Sequence, residues 1–163
     1  MLCPEPVGMV ALFLCAKFDY KKLSGKKIRL VALIIPMILL ALVFVPGIGK
    51  SNYGATRWIG IGSITVQPSE LAKYGFVIFA SAYMSERMGK MRTFKGVLPV
   101  LLAGGAICLL IIIEPNMSVT MCVGLLMLAM LFLGGMQIKH FLLLLIPVLL
   151  VIPILIIAEP YRL

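Results

Sequence analysis

The chain has 163 residues, 62% of them hydrophobic, and a mean hydropathy of +1.13. An ordinary soluble domain is roughly 45–50% apolar, so this composition excludes one and indicates an integral membrane protein. The net charge of +9 does not indicate nucleic acid, because the Lys and Arg residues cluster beside apolar runs, as the positive-inside rule expects.

Val7–Ala16 is too short to cross a bilayer and looks like the end of a span that started earlier. Met1–Val10 has no basic start and is broken by Pro4 and Pro6, so it does not read as a signal peptide. The chain is therefore expected to begin inside a larger protein. Lys17–Arg29 gathers six basic residues. Leu30–Val45, Val97–Ile113, Met117–Leu133 and Phe141–Ala158 are near-continuous apolar runs, each close to the roughly 17–25 residues a spanning helix needs. Pro68–Tyr83 is less apolar but helical in pattern. The expectation is an all-α fold: a polytopic transmembrane helix bundle of about five full spans plus a partial N-terminal one. Residues 1–163 then form a single membrane domain. A β-barrel would show short alternating segments instead.

Charge sets the expected topology. Segments 17–29, 86–95 and 134–140 hold most of the basic residues and are expected in the cytoplasm. Segments 46–67, 114–116 and 159–163 are expected outside. Pro36, Pro99, Pro147 and Pro153 interrupt or open spans and invite kinks. Gly104 and Gly105 are expected to admit a neighbouring helix. Cys3, Cys15, Cys108 and Cys122 have no metal or redox spacing, and the two in apolar runs are expected to act as small hydrophobes. His140, beside Lys139, is expected at the interface. No metal site or cofactor is identifiable, and a divalent cation is not readable from the residues.

The outer segment 46–67 reads as a glycine-rich loop. Gly60-Ile61-Gly62 is not a dinucleotide fingerprint, since no strand is expected before it. Arg57 and Trp58 belong at the outer interface; Arg57 is either a surface anchor or a fork for phosphate. Gln67-Pro68-Ser69-Glu70 then opens a helix. Pro68 suits its first position and Glu70 the positive end of its dipole. Lys73 shares a face with Glu70. Both charges are expected to point into the bundle, as a structural ion pair or as a ligand site. Glu114-Pro115-Asn116 is a second polar interruption on the same side, where Asn116-Met117-Ser118 matches a glycosylation sequon incidentally. Trp58, Gln67, Ser69, Glu114 and Asn116 are the expected rim of a shared cavity, with Arg162 on the same side.

These motifs resemble the SEDS family (shape, elongation, division and sporulation), which includes FtsW, RodA and SpoVE. The basic loop Lys17-Phe18-Asp19-Tyr20-Lys21-Lys22-Leu23 is similar to the loop after the family's second span. Gly54-Ala55-Thr56-Arg57-Trp58-Ile59, followed by Gln67-Pro68-Ser69-Glu70-Leu71-Ala72-Lys73, resembles its most specific signature. Glu114-Pro115-Asn116 resembles the family's Gln/Glu-Pro-Asp turn, with Asn116 in the place of the Asp. Glu159-Pro160-Tyr161-Arg162-Leu163 resembles the approach to the large outer loop of FtsW-like members.

The resemblance implies a ten-span fold in the bacterial plasma membrane, of which this chain would cover roughly spans two to seven. It implies a peptidoglycan glycosyltransferase polymerising lipid II in cell division or in shape or sporulation wall synthesis. A class B penicillin-binding protein is the implied transpeptidase partner, and membrane lipids surround it. The family's essential aspartate falls beyond Leu163, so no catalytic residue is expected within this chain, which would be truncated and catalytically incomplete. Arg57 and Lys73 would hold the lipid diphosphate, with Glu70 positioning Lys73. A lipid II transporter or flippase and a non-catalytic scaffold of the division complex are the competing readings.

Overall fold

The computed structural model of the chain describes residues 19–45, 49–52, 55–61 and 64–146, with Met9, Phe13, Ala16 and Lys17 before them. Cys3, Cys15, Pro147, Pro153, residues 159–163 and most of Val7–Ala16 lie outside the described residues.

A short 3-10 turn, Tyr20–Ser24, opens the ordered chain. It is capped by Asp19, whose carboxylate accepts from the Lys21 backbone N–H at 3.0 Å. Helix α1, Lys26–Val43, follows Gly25. It starts earlier than its apolar run because Lys26 and Lys27 occupy an exposed first turn and Arg29 is paired with Glu86. Helix α2 spans Pro68–Glu86 with Pro68 in its first turn, where the missing N–H costs nothing. Helix α3 spans Phe94–Ile113 and helix α4 Met117–Leu133. Residues 138–146 are also helical.

Between α1 and α2 the expected loop is instead a small antiparallel sheet. Strands β1 (Gly49–Asn52), β2 (Ala55–Ile61) and β3 (Ile64–Val66) run as a meander in the order β1-β2-β3. Lys50 pairs with Trp58, and Ile59 with Val66. The β-formers Thr56, Trp58, Ile59, Ile61, Ile64 and Val66 explain the strands. Contrary to the expectation that no strand precedes Gly60-Ile61-Gly62, Gly60 and Ile61 lie in a strand. The strand feeds an antiparallel hairpin rather than a helix, and that is what rules out a dinucleotide site.

Helices α1 and α2 pack backbone against backbone. A Cβ on Gly75 would lie 2.1 Å from the Ala32 carbonyl oxygen and 3.1 Å from Pro36. Gly75 thus lets the two axes approach, and Pro36 fills the contact as well as interrupting its own helix. Gly104 does the same for α3 and α4, since a Cβ there would meet Met127 Sδ at 2.5 Å. Gly105 does not: a Cβ there would meet nothing within 4 Å, so the expectation of close packing fails at that residue. The shared core comprises Leu40 of α1, Phe76 and Ala80 of α2, Val97, Val100, Ile107 and Ile111 of α3, and Val123 and Leu131 of α4.

Large apolar side chains also face outward: Leu102, Leu109, Ile113, Leu125 and Leu133, the last 81% exposed. Soluble proteins rarely present so continuous an apolar exterior, whereas lipid tolerates it. Among the described residues, α3 is the one helix long and apolar enough to cross a membrane by that measure alone, and α4 is apolar but shorter. Helices α1 and α2 carry charged residues in their end turns.

Side-chain contacts hold the two ends of the bundle. At the end away from the sheet, Arg29, at the start of α1, pairs with Glu86, the last residue of α2, at 2.6 Å. At the same end His140 tilts against Phe94, the first residue of α3, with ring centroids 6.0 Å apart. At the other end lie the sheet and the α3–α4 turn.

Candidate functional site

The signature residues gather at the sheet end. Pro68 opens the first turn of α2, which follows directly on β3 and Gln67. One turn in, Lys73 Nζ lies 2.7 Å from Glu70 Oε2. The pair is not sunk in the bundle as expected. The Lys73 side chain is 20% exposed and that of Glu70 43%, because Glu70 sits in the open first turn. Lys73 is thus the better covered of the two partners. It also comes within electrostatic reach of Cys122 on α4.

Arg57 sits half-buried on β2. Its Nε donates to the Glu114 carbonyl oxygen at 3.4 Å and an Nη donates to that of Pro115 at 2.5 Å. A guanidinium has five N–H groups in a rigid fork, so this clamp leaves others for a further acceptor. Trp58, next to it on β2, is half-buried, as is Gln67 before α2. Gln67 makes no side-chain cap to the helix.

The α3–α4 turn buries polar groups. Glu114 is 1% exposed and neither carboxylate oxygen has a partner among the described residues. Burial pushes its carboxyl up to about 7, with the nearby Arg57 guanidinium opposing the rise. Asn116 Nδ2 and Ser69 Oγ are likewise buried without a partner among the described residues. The Asn116 carbonyl starts α4 by accepting from the Thr120 N–H and from Thr120 Oγ1 at 2.9 Å. Buried polar groups without partners are rare and cluster at functional sites.

The structure thus brings Arg57 onto the Glu114–Pro115 turn and Glu70 onto Lys73. No hydrogen bond or ion pair among the described residues joins one group to the other. Sequence reading missed a further element: an open groove of about 560 Å³ along α4, lined by Ser118, Met121, Cys122, Leu125, Leu126 and Ala129. Those positions follow helical spacing, but α4 is apolar on all sides, so its periodicity carries no contrast. Cys122 is exposed on this groove, while Cys108 is half-buried and lies 3.9 Å from the Thr120 carbonyl oxygen.

A helical bundle with an apolar exterior, a half-buried ion pair and a small sheet at one end defines a polytopic membrane protein. Residues 4–163 match the family FTSW_RODA_SPOVE, described as cell cycle protein. The chain belongs to that family, the SEDS family of the sequence reading. It is 41% identical over 128 residues to a protein of Taylorella equigenitalis named "Probable peptidoglycan glycosyltransferase FtsW", covering 78% of this chain and 35% of that one. A Francisella salina protein of the same name is 38% identical over 129 residues, covering 78% of this chain and 32% of the relative. The crystal structure of Thermus thermophilus rod shape determining protein RodA superposes with a TM-score of 0.72 at 26% identity, over 90% of this chain and 47% of RodA. The chain spans about a third of the length of the curated relatives it matches.

Proposed function

We propose that this chain forms part of a peptidoglycan glycosyltransferase that polymerises lipid II in the bacterial plasma membrane. One observation carries the reading: a cation braced by a carboxylate, Lys73 on Glu70, beside an open apolar groove on α4. Lipid II has that polarity, an anionic diphosphate joined to a long apolar tail. Lys73 would hold the diphosphate as charge develops on the leaving group, and Glu70 fixes the ammonium in place. The groove from Ser118 to Ala129 would take the tail. Arg57 keeps N–H groups for the substrate while anchoring the sheet. Glycosyl transfer also needs a base to accept the sugar hydroxyl proton, and we assign none of the chain's residues to it.

In this reading the sheet end faces outside, the basic end faces the cytoplasm, and a class B penicillin-binding protein cross-links the product. The test is polymerisation of lipid II by the purified protein, read as glycan strands on a gel. Lys73→Ala should cut the rate about 10–100-fold, the scale of one lost charge-assisted contact. Glu70→Gln should cost less, since the ammonium remains. Lipid movement across vesicles without glycan formation would replace this reading with transport.

A further inference from the structure

The turn joining α2 to α3 carries Arg87, Lys90 and Arg92, and the first turn of α3 adds Lys95, all exposed. The acid beside them, Glu86, is taken up by Arg29 at 2.6 Å. The charge of this turn is therefore not neutralised among the described residues. Arg87 is also held in place. Its guanidinium lies over the Tyr83 ring, 4.7 Å from the centroid, and its Nη1 donates to the Tyr83 hydroxyl at 2.9 Å. Tyr83 is itself stacked on Phe79. Stacking fixes a guanidinium without cancelling its charge, which favours binding of an anion.

Directly below the turn, α3 presents an apolar row. Phe94, Leu98, Leu102 and Leu109 are all exposed, Leu102 and Leu109 each to 64%. They follow the helical repeat, and Gly105 completes the row between them. A Cβ at Gly105 would meet nothing within 4 Å, so the row has a dent at mid-height. Cations that lead straight onto an indented apolar face match a molecule with an anionic head and a hydrocarbon chain.

We propose that the 87–95 segment and this face of α3 seat an anionic phospholipid. Its phosphate sits on Arg87 and its neighbours, and one acyl chain runs along Leu98 and Leu102 over Gly105. A soluble acidic protein would match the cations but not the apolar row, which runs down a helix long enough to span the bilayer. The seat lies at the opposite end of the bundle from Lys73 and does not depend on the glycan-polymerase reading.

The test is native mass spectrometry of the purified protein with phosphatidylglycerol or phosphatidylcholine at equal concentration. Phosphatidylglycerol should be retained preferentially, and the preference should shrink with salt. Arg87→Gln with Arg92→Gln should weaken its retention about fivefold per charge removed, leaving phosphatidylcholine unchanged. Gly105→Trp fills the dent without touching a charge and should also reduce retention. Equal retention of the two lipids by the unaltered protein would overturn the proposal, and that comparison stands even where a variant fails to fold. Displacement of the lipid by an equal concentration of glycerol phosphate or of polyglutamate would overturn it too.

Discussion

Glu114 shows how burial turns one side chain into a pH-dependent liability. Its carboxyl is pushed up to about 7 in the folded protein, from an ordinary value of 4.5. Below the ordinary value both folded and unfolded states are protonated, and the residue is neutral to stability. As pH rises from there to about 7, the unfolded state ionises first and stability falls; the loss is complete above about 7. Those two values correspond to a loss on the order of 3 kcal/mol. Glu114→Gln should flatten this dependence, so that the melting temperature in detergent exceeds that of the parent at pH 8 and equals it near pH 4. An unchanged difference across that range would refute the assignment. The sequence showed Glu114 as a polar break before a proline, but not that its carboxylate is buried, because burial depends on distant helices. Lys73 and Glu70 were legible as a pair from their spacing. Their shallow position was not, since it depends on how the sheet covers the start of α2.

At the scale of elements, two glycines make opposite predictions. Gly75→Val would place a side chain against the Ala32 carbonyl, where even a Cβ is too close at 2.1 Å. Helices α1 and α2 would have to separate, at a cost of about 1–3 kcal/mol or more. Gly105→Ala meets nothing and replaces a poor helix former, so it should stabilise by up to about 1 kcal/mol. Thermal unfolding in detergent would check both, and equal effects would contradict the packing described. The helices themselves were legible: Met117–Leu133 has the same bounds in sequence and structure, and α2 starts at the expected Pro68. The sheet was not, because glycine-rich composition hid strands whose alternation is short and irregular. Its β-branched and aromatic residues were the available signal.

For the whole molecule, the two ends of the bundle are held by different chemistry. The Arg29–Glu86 pair is lopsided: the Arg29 side chain is 8% exposed and that of Glu86 37%. Removing the acid strands a buried cation, whereas removing the cation leaves an acid that water can reach. Glu86→Ala should therefore destabilise by about 1–3 kcal/mol and Arg29→Ala by less. Melting curves of the two variants give the order, and the reverse order would sink the argument. The orientation proposed above has its own test. With the native cysteines replaced, Thr65→Cys should react with a membrane-impermeant maleimide on spheroplasts. Ser24→Cys and Thr93→Cys should react only after permeabilisation. All three positions are exposed, so accessibility reports the side of the membrane.

The Arg57 clamp has one more consequence. It grips main-chain oxygens at positions 114 and 115, not side chains. Every amino acid presents that same carbonyl. The anchorage of the sheet is thus independent of which side chain stands at 114, and the acidity of that buried position can be retuned by substitution while the attachment stays intact.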